Sequence, residues 1–461
     1  MNPSNPQSDR LRRWLRRLDV DRAVAYAVFA RCWQLPAGLL TTLLIATYFS
    51  DATRGYYFTL IPLIGLQTLA DSGLQGLILH FSSHERAGLH VGPHGVLSGD
   101  SGPLKRLAGI YRFALRWFLG ASVLFGVGVT VTGWILLSRD GANVPWQFPL
   151  ILTVLLASIS LAWSPLIAIL EGCNEVRVIN RTRLLQAVTG SAVAWTCIAS
   201  GAGLWTLVGT ALVQVTWEGY LLHYRYRDTW RSLRSLPDWR SEADPQLFNW
   251  RTELWPLQWK LLAQVASRHF AYTPLIPIVL EHHGATVAGQ LGMTWAVLTN
   301  IQLAALSWIR TRSPRFGILI SNRDYRTLDR EFFSTVAVTA VAIVVLTVSF
   351  IGVLFLLGQS EQEWASVLSR SFVSWPTAAC YAAILIPSHF VQALGLYLRS
   401  HKKEPVLVVT CVGNAVLGIT AIYLCTYVGI AQAGLGMFAV ITLVTLPGVT
   451  YVWQRSRRKW H

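Results

Sequence analysis

The sequence predicts an all-α, polytopic membrane protein with about twelve transmembrane helices, and three observations support that prediction. The chain has 461 residues, of which 53% are hydrophobic and only 13% are charged. A soluble protein averages about 25% charged residues. Its apolar stretches are long enough to cross a bilayer, because one span needs roughly 20 apolar residues. The loops between these stretches are short, and every second loop is almost free of Lys and Arg.

The alternation of loop charge predicts the orientation of the chain. If the odd-numbered loops lie on the far side of the membrane, they contain only Arg54 and Arg139, with Arg370 at the edge of the tenth span. Nearly all the other basic residues, from a total of 39 Lys and Arg, lie at the termini or in the even-numbered loops. Because cytoplasmic loops collect positive charge, we expect both termini in the cytoplasm and an even number of spans. The net charge of +16 has the same origin and calls for anionic lipid headgroups, not nucleic acid, as partners.

Twelve apolar stretches can be drawn from these criteria. The predicted spans are 27–49, 55–81, 107–138, 147–171, 183–200, 205–223, 254–280, 285–309, 332–357, 366–396, 402–426 and 431–453. They divide the chain into a cytoplasmic amphipathic N-terminal segment (1–26), an N-terminal six-helix lobe (27–223), a charged cytoplasmic inter-lobe loop (224–253), a C-terminal six-helix lobe (254–453) and a basic cytoplasmic tail (454–461). Within the first segment, residues 10–22 place Leu and Trp at helical spacing opposite arginines, which is typical of a helix on the membrane surface; a solvated basic tail is the alternative.

The two predicted lobes begin alike, which indicates an internal repeat. Each first span enters from the predicted cytoplasmic side with a cluster of Trp, Gln, Pro and one basic residue: Arg31, Trp33, Gln34 and Pro36 in span one, and Trp255, Pro256, Gln258, Trp259 and Lys260 in span seven. Many transporters consist of two related bundles with the substrate path between them, and six spans per lobe make these repeats parallel. Chance resemblance between two apolar segments is the alternative.

An ionisable residue inside a span costs about 2.5–3.5 kcal/mol and is a functional hypothesis by default. Several ionisable residues fall within the predicted bounds, and the short list for function consists of Arg31, Asp71, Lys260 and Arg268. Arg31 and Lys260 lie within one or two turns of the cytoplasmic end, so either could extend to the lipid headgroups instead. Asp71 is interpreted as an ion-coupling group or, preferably, as a counter-ion for Arg31.

The seventh span carries a polar stripe. Lys260, Gln264 and Arg268 recur at i, i+4 and i+8, which places them on one helix face. We expect that face to line a wet cavity; pairing of the cations with Asp71 or Glu218 inside the bundle is the alternative. Glu218 lies near a cytoplasmic end and is interpreted as solvated.

The intramembrane charge balance is therefore cationic, and it favours an anionic substrate. A cation exporter should bury carboxylates, whereas Arg suits phosphate because its planar fork donates two parallel hydrogen bonds. The predicted substrate-binding residues are Arg31, Gln34, Lys260, Gln264 and Arg268.

Other chemistry finds little support in the sequence. None of the 6 Cys lies in a clear far-side loop, so we expect no disulfides. His84, His90 and His94 are irregularly spaced in a Gly-rich stretch, which favours a flexible loop over a metal site. A P-loop, a G-x-S-x-G elbow and an H-E-x-x-H motif are all missing from the sequence. We therefore expect no enzyme activity, cofactor or metal, although an intramembrane transferase would need none of these motifs.

Three stretches, 55–85, 255–294 and 306–333, resemble the oligosaccharide-lipid flippases and related polysaccharide biosynthesis proteins of the multidrug/oligosaccharidyl-lipid/polysaccharide exporter superfamily. Together they cover about a fifth of the chain. The resemblance implies two six-helix lobes around a central cavity. It also implies movement of an undecaprenyl-pyrophosphate-linked oligosaccharide from the cytoplasmic to the periplasmic leaflet of the bacterial inner membrane, alongside other polysaccharide assembly proteins.

The same resemblance implies that cations of the first and seventh spans meet the pyrophosphate; here these are Arg31, Lys260 and Arg268. The chain departs from the cation-exporting branch in one respect. Span one has no carboxylate at mid-membrane, since Asp51 lies at its far end. We therefore expect a flippase working by alternating access. A cation-coupled small-molecule exporter of the same fold, or a non-transporting scaffold of a polysaccharide assembly complex, is the alternative.

The charge asymmetry of the loops yields a topology prediction. A fluorescent-protein fusion after His461 should be bright, and an alkaline phosphatase fusion at the same place should be inactive, because the C-terminus is expected in the cytoplasm. An active phosphatase fusion with a dark fluorescent partner would reverse the predicted orientation.

Overall fold

The computed structural model describes residues 22–71, 73–85, 89–91, 97–139, 143–235, 255–401 and 404–460. The predicted surface helix at 10–22 and most of the 224–253 loop lie outside these ranges. The described chain is all-α apart from one short hairpin, so the predicted fold class is confirmed.

The first half consists of helices with one two-stranded antiparallel sheet. Its elements are α1 (Arg22–Tyr48), α2 (Asp51–Gly65), α3 (Gln67–Asp71), α4 (Leu74–Glu85), β1 (Leu89–Val91), β2 (Leu97–Gly99), α5 (Ser101–Arg139), α6 (Gln147–Gly172), α7 (Val176–Ala199), α8 (Trp205–Gly219) with a π-helical turn (Tyr220–Arg225), and α9 (Arg227–Ser235). The strands pair His90 with Ser98. The prediction of a flexible loop around the three histidines is wrong for two of them, because His84 lies in the last turn of α4 and His90 lies in β1. His94 falls outside the described residues.

The second half is helical throughout its described part. Its elements are α10 (Trp255–Tyr272), α11 (Leu275–Ser321), α12 (Tyr325–Gln359), α13 (Glu363–Arg370), α14 (Trp375–Ala383), α15 (Leu385–Ser400), α16 (Leu407–Tyr427), α17 (Ile430–Val440) with a π-helical turn (Ile441–Thr445), and α18 (Leu446–Trp460). Within α11 the helix is interrupted at Gly284, whose φ of 83° lies in the left-handed region. This break marks the turn predicted between spans seven and eight.

Each predicted span corresponds to a helix or to a run of consecutive helices. Seven described stretches are long and apolar enough to cross a membrane on length and composition alone: Phe29–Tyr48, Ser101–Arg139, Gln147–Gly172, Tyr325–Gln359, Trp375–Ser400, Leu407–Tyr427 and Ile430–Trp460. Others are interrupted or polar. The second span, for example, consists of α2, α3 and α4, and the break between α3 and α4 lies at Gly73, which has a φ of 70°. Span seven is similarly divided between α10 and the start of α11.

Predicted boundaries differ from the structure at several places, among them the predicted 310–331 loop and the predicted C-terminal tail. The 310–331 loop is mostly helix, because α11 continues to Ser321 and α12 starts at Tyr325. The tight turn between them is closed by Asp324, whose side chain accepts a hydrogen bond from the backbone N–H of Thr327. At the C-terminus, α18 continues to Trp460, through the basic residues that the sequence predicts as a tail.

The helices pack mainly within their own half of the chain. In the first half α1 packs against α7, α5 against α6, and α4 against α6; in the second half α10 packs against α16, α11 against α12, and α16 against α17. The largest contact between the halves is that of α2 with α11. The chain is therefore a two-lobed bundle whose lobes meet mainly along one pair of helices, with smaller contacts beside it.

Glycines bring α2 and α11 into backbone contact. A Cβ on Gly55 would overlap the carbonyl group of Ala285, and one on Gly292 would overlap Phe58. At Gly289 an added Cβ would lie 2.9 Å from the backbone nitrogen of Gly55. Small residues permit close helix approach in membranes, where packing replaces the hydrophobic effect as the driving force.

Ion pairs reinforce the predicted far side of the molecule. Arg54 pairs with Asp51 on the first turn of α2, and Arg139 at the end of α5 pairs with Glu281 of the other lobe. These are the two arginines that the sequence places in far-side loops. Each has a carboxylate partner in the structure.

The contact between α2 and α11 yields a stability prediction. Gly55→Ala should lower the free energy of unfolding by about 1–3 kcal/mol, because the added methyl group has no space beside Ala285. The matched control is Gly352→Ala in α12, where nothing lies within 4 Å of an added Cβ; it should be neutral or stabilise by about 0.5–1 kcal/mol through helix propensity. Thermal unfolding in detergent measures both. Equal stability of the two variants would contradict the close crossing.

Candidate functional site

A polar cavity of about 860 Å³ lies inside the N-terminal lobe. Its wall is formed by α1, α2, α3, α4, α6, α7 and α8, and Ala296 of α11 is the single contribution from the C-terminal lobe. Along α1 the lining runs from Ala30 to Ile45, a depth of about 22 Å at 1.5 Å per residue. The cavity therefore extends through most of a hydrocarbon core roughly 30 Å thick.

The wall of the cavity is rich in neutral hydrogen-bonding side chains. The amides and hydroxyls that line it are Gln34, Thr41, Thr42, Gln67, Gln75, Ser160, Ser164, Asn180, Thr182, Gln186, Ser191, Thr210 and Gln214. Aromatic side chains are few by comparison, Tyr57 and Phe58. Polar groups are expensive inside a membrane unless they are paired or wet, so this wall is suited to a hydrated, hydroxyl-rich ligand.

Three charged residues line the same cavity: Arg31, Arg183 and Glu218. Arg31 is exposed to the cavity space and forms no ion pair with any residue that the structure describes. Gln34 follows it by one turn on α1, and it is exposed in the same way. Arg183 is ion-paired with Glu171 of α6, while about half of its side chain, 51%, stays accessible. Two guanidinium groups thus border one cavity, and Arg183 is held in place by a carboxylate behind it.

Glu218 is buried in the wall, so the interpretation that it is solvated is wrong. Only 8% of it is exposed, and one carboxylate oxygen accepts hydrogen bonds from Ser160 Oγ (3.0 Å) and Gln214 Nε2 (3.1 Å). Gln214 Nε2 also donates to Ser160 Oγ at 2.8 Å. The other oxygen, Oε2, has no hydrogen-bond partner among the described residues.

The physical reason for that burial is the packing of α8 against α6, which brings Ser160 against Glu218 and takes its carboxylate away from the surface. A signal was present in the sequence: Thr210, Gln214 and Glu218 recur at i, i+4 and i+8, which is one polar face of a helix. Arg183 was missed for another reason, because α7 starts at Val176, before the predicted span, and carries the arginine into the lobe.

The predicted polar face of span two is preserved only in part. Gln67 and Gln75 both line the cavity, whereas Asp71 between them does not. The break at Gly73 rotates the chain between α3 and α4, and the Asp71 carboxylate accepts a hydrogen bond from the backbone N–H of Gln75 at 3.2 Å. Asp71 forms no ion pair with Arg31, Lys260 or Arg268 in the described part of the chain. Its predicted role as ion-coupling group or counter-ion stays a prediction.

The predicted stripe of span seven lies in the other lobe. Lys260, Gln264 and Arg268 are on α10, outside the lining of this cavity. Lys260 and Arg268 are exposed, and Gln264 is half-buried. The Lys260 ammonium lies 5.9 Å from the centre of the Trp259 ring. The structure thus brings Arg31 and Gln34 together in one cavity and places the other three candidates on the facing lobe.

Comparison with solved structures identifies the fold. The chain is similar to an inward-facing multidrug resistance MATE family transporter of the MOP superfamily, with 15% identity over 93% of this chain and 98% of that chain and a TM-score of 0.59. It is also similar to MATE in complex with MaL6 (14% identity, 94% of this chain and 95% of that one, TM-score 0.53) and to MATE in the bent conformation (14% identity, 94% of both chains, TM-score 0.51).

No family model and no curated protein matches the sequence of the chain. The fold is nevertheless unambiguous, since the structural likeness covers nearly the whole of each chain. The chain is a multi-pass membrane protein with the fold of the MATE transporters.

Proposed function

We propose that this protein is a flippase that moves a polyprenyl-pyrophosphate-linked oligosaccharide from the cytoplasmic to the periplasmic leaflet of a bacterial inner membrane. The observation that carries the proposal is the composition of the cavity wall. Two arginines lie beside a surface of amides and hydroxyls, with few aromatic groups. Guanidinium groups suit pyrophosphate oxygens, since Arg donates parallel hydrogen bonds to phosphate. The neutral polar wall suits sugar hydroxyls.

The two-lobed architecture supports alternating access as the mechanism. The lobes are in backbone contact where α2 crosses α11, and this crossing can act as a pivot when one lobe rocks against the other. Arg31 and Arg183 hold the headgroup in the N-terminal lobe. Lys260, Gln264 and Arg268 of α10 provide a second cationic wall from the C-terminal lobe. The chain needs no cofactor and no covalent step for this task, and other polysaccharide assembly proteins would supply and consume the lipid-linked glycan.

The proposal makes a charge prediction for the two cavity arginines. Arg31→Gln and Arg183→Gln should each slow transport about tenfold or more, because each removes a hydrogen bond to a charged group, worth about 1.5–3 kcal/mol. Arg183→Lys should retain more activity, since it keeps a cation beside Glu171. Arg326→Gln, an exposed arginine of α12 outside the cavity, is the matched control and should transport normally.

The assay uses proteoliposomes loaded with undecaprenyl-pyrophosphate linked to a fluorescent disaccharide, with accessibility of the sugar to a soluble quencher as the readout. Lys260→Gln and Arg268→Ala are measured in parallel to test the facing wall. Wild-type transport rates in both Arg31→Gln and Arg183→Gln would contradict the proposal that this cavity binds an anionic substrate.

A second candidate function, a cation-coupled exporter of small molecules, is favoured by one observation. Glu218 is a buried carboxylate whose Oε2 has no hydrogen-bond partner among the described residues, and a carboxylate of this kind can take up a proton or a cation. The same group could couple flippase transport to an ion gradient, so the cargo and the coupling must be tested separately.

The coupling prediction rests on Glu218→Gln. The amide keeps an oxygen acceptor for Ser160, so the fold should be retained, while the ionisable group is lost. We expect transport by the variant to be insensitive to an imposed pH or sodium gradient that accelerates the wild type. The matched control is Glu363→Gln, which removes an exposed carboxylate of α13 outside the cavity lining and should keep the wild-type response to the gradient. Ethidium efflux by the wild type, without movement of the lipid-linked sugar, would favour the exporter.

A further inference from the structure

A second concave surface lies on the lipid-facing side of the N-terminal lobe. This groove, of about 710 Å³, runs between the start of α3 and the outer face of α5. Its lining is apolar except at its ends, where Arg116 and Thr132 lie. Leu124, in the middle of the groove, is 76% exposed. An exposed apolar channel with one cationic end is a shape that matches a lipid with an anionic headgroup.

Glycines keep the groove open. Gly120 and Gly128 line it two turns apart on α5, and nothing lies within 4 Å of a Cβ built at either position. Neither glycine is therefore required by packing inside the protein. A side chain at either position would instead occupy the groove.

The depth of the groove exceeds one leaflet. Residues 117–138 of α5 carry no charge and span about 33 Å, which matches a hydrocarbon core of roughly 30 Å. Arg116 therefore lies at the level of the predicted cytoplasmic headgroups. From Arg116 to Thr132 the groove measures about 24 Å along the helix, whereas one leaflet supplies roughly half of 30 Å. An acyl chain from the cytoplasmic leaflet would fill only the near part and leave the rest to lipids of the opposite leaflet, whereas one longer chain would fill the whole groove.

The groove is separated from the polar cavity by a single helical segment. In and beside α3, the side chains of Leu66, Leu69 and Ala70 line the groove, and Gln67 lines the cavity. This segment also lies at the boundary of the lobes, since Thr68 is hydrogen-bonded to His269 of α10. A headgroup in the cavity and a chain in the groove would lie on opposite sides of one helix.

We infer that this groove binds the polyisoprenoid chain of the lipid carrier, with the carrier phosphate at Arg116 before the headgroup enters the cavity. The inference rests on the proposed function and specifies its substrate as a lipid whose chain is longer than one leaflet. The chain would stay in the groove beside α3 while the headgroup moves through the lobe.

The test is photo-crosslinking in nanodiscs of phosphatidylcholine and phosphatidylglycerol that contain a small fraction of undecaprenyl monophosphate. A benzophenone amino acid replaces Leu124 in the groove or, as the matched control, Val123, which is equally lipid-facing at 60% exposure but outside the groove. Mass spectrometry identifies the attached lipid. We expect about tenfold enrichment of undecaprenyl monophosphate at Leu124 over Val123, the effect of roughly 1.4 kcal/mol in affinity.

Four variants make the test more specific. Gly120→Leu combined with Gly128→Leu fills the groove and should abolish the enrichment, whereas Val123→Leu combined with Val127→Leu adds bulk outside it and should not. Arg116→Gln should reduce crosslinking about fivefold and Arg116→Lys should restore it, because a basic residue at the membrane surface attracts an anionic group chiefly through its charge.

Farnesyl monophosphate, with a chain that fits one leaflet, should crosslink far less than the long carrier. Equal labelling by phosphatidylglycerol, or equal labelling by the short chain, would overturn the inference and leave only annular lipid in the groove. The outcome is separable from that of the proposed function. Arg31→Gln should slow transport about tenfold or more without changing crosslinking at Leu124, and a groove without carrier would leave the cavity results unchanged.

Discussion

The close crossing of α2 and α11 is the contact on which the rest of the architecture depends. Gly55, Gly289 and Gly292 remove the side chains that would hold the helices apart, so that backbone meets backbone between the lobes. In a membrane, lipid tails are as apolar as Leu, and close packing is what drives helices together. Because the other contacts between the lobes are smaller, this crossing sets the position of the N-terminal cavity relative to the C-terminal lobe.

Breaks in the helices, which a soluble protein would place in loops, serve the cavity here. Backbone polar groups inside a bilayer must be satisfied by the protein or by a wet cavity. The second span breaks at Gly73 beside the polar cavity, and its short segment α3 divides that cavity from the apolar groove. One irregular segment therefore has a hydrophilic and a lipid-facing side.

Neighbouring side chains fix two of the three charged residues that line the cavity. Glu171 holds Arg183, and Ser160 with Gln214 holds one oxygen of Glu218. Arg31, in contrast, has no carboxylate partner among the described residues. A cation without a partner is available to an anionic ligand, whereas a paired one is pre-oriented for it at a smaller entropic cost. These two states make Arg31 and Arg183 complementary parts of the proposed binding surface.

The sequence by itself determined the all-α class, the presence of apolar membrane segments and the polar character of span one, since these depend on local composition and on helical period. Arg31 and Gln34 were accordingly identified as cavity residues. Which helix faces which was decided only by the tertiary structure. The helical period places Lys260, Gln264 and Arg268 on one face of a helix. The packing of α10 against α16 then places that helix in the C-terminal lobe, away from the cavity. Arg183 became a cavity residue because α7 starts earlier than hydropathy indicates. Glu218 became one because α8 packs against α6, which brings Ser160, 58 residues away in the sequence, within hydrogen-bond distance of its carboxylate.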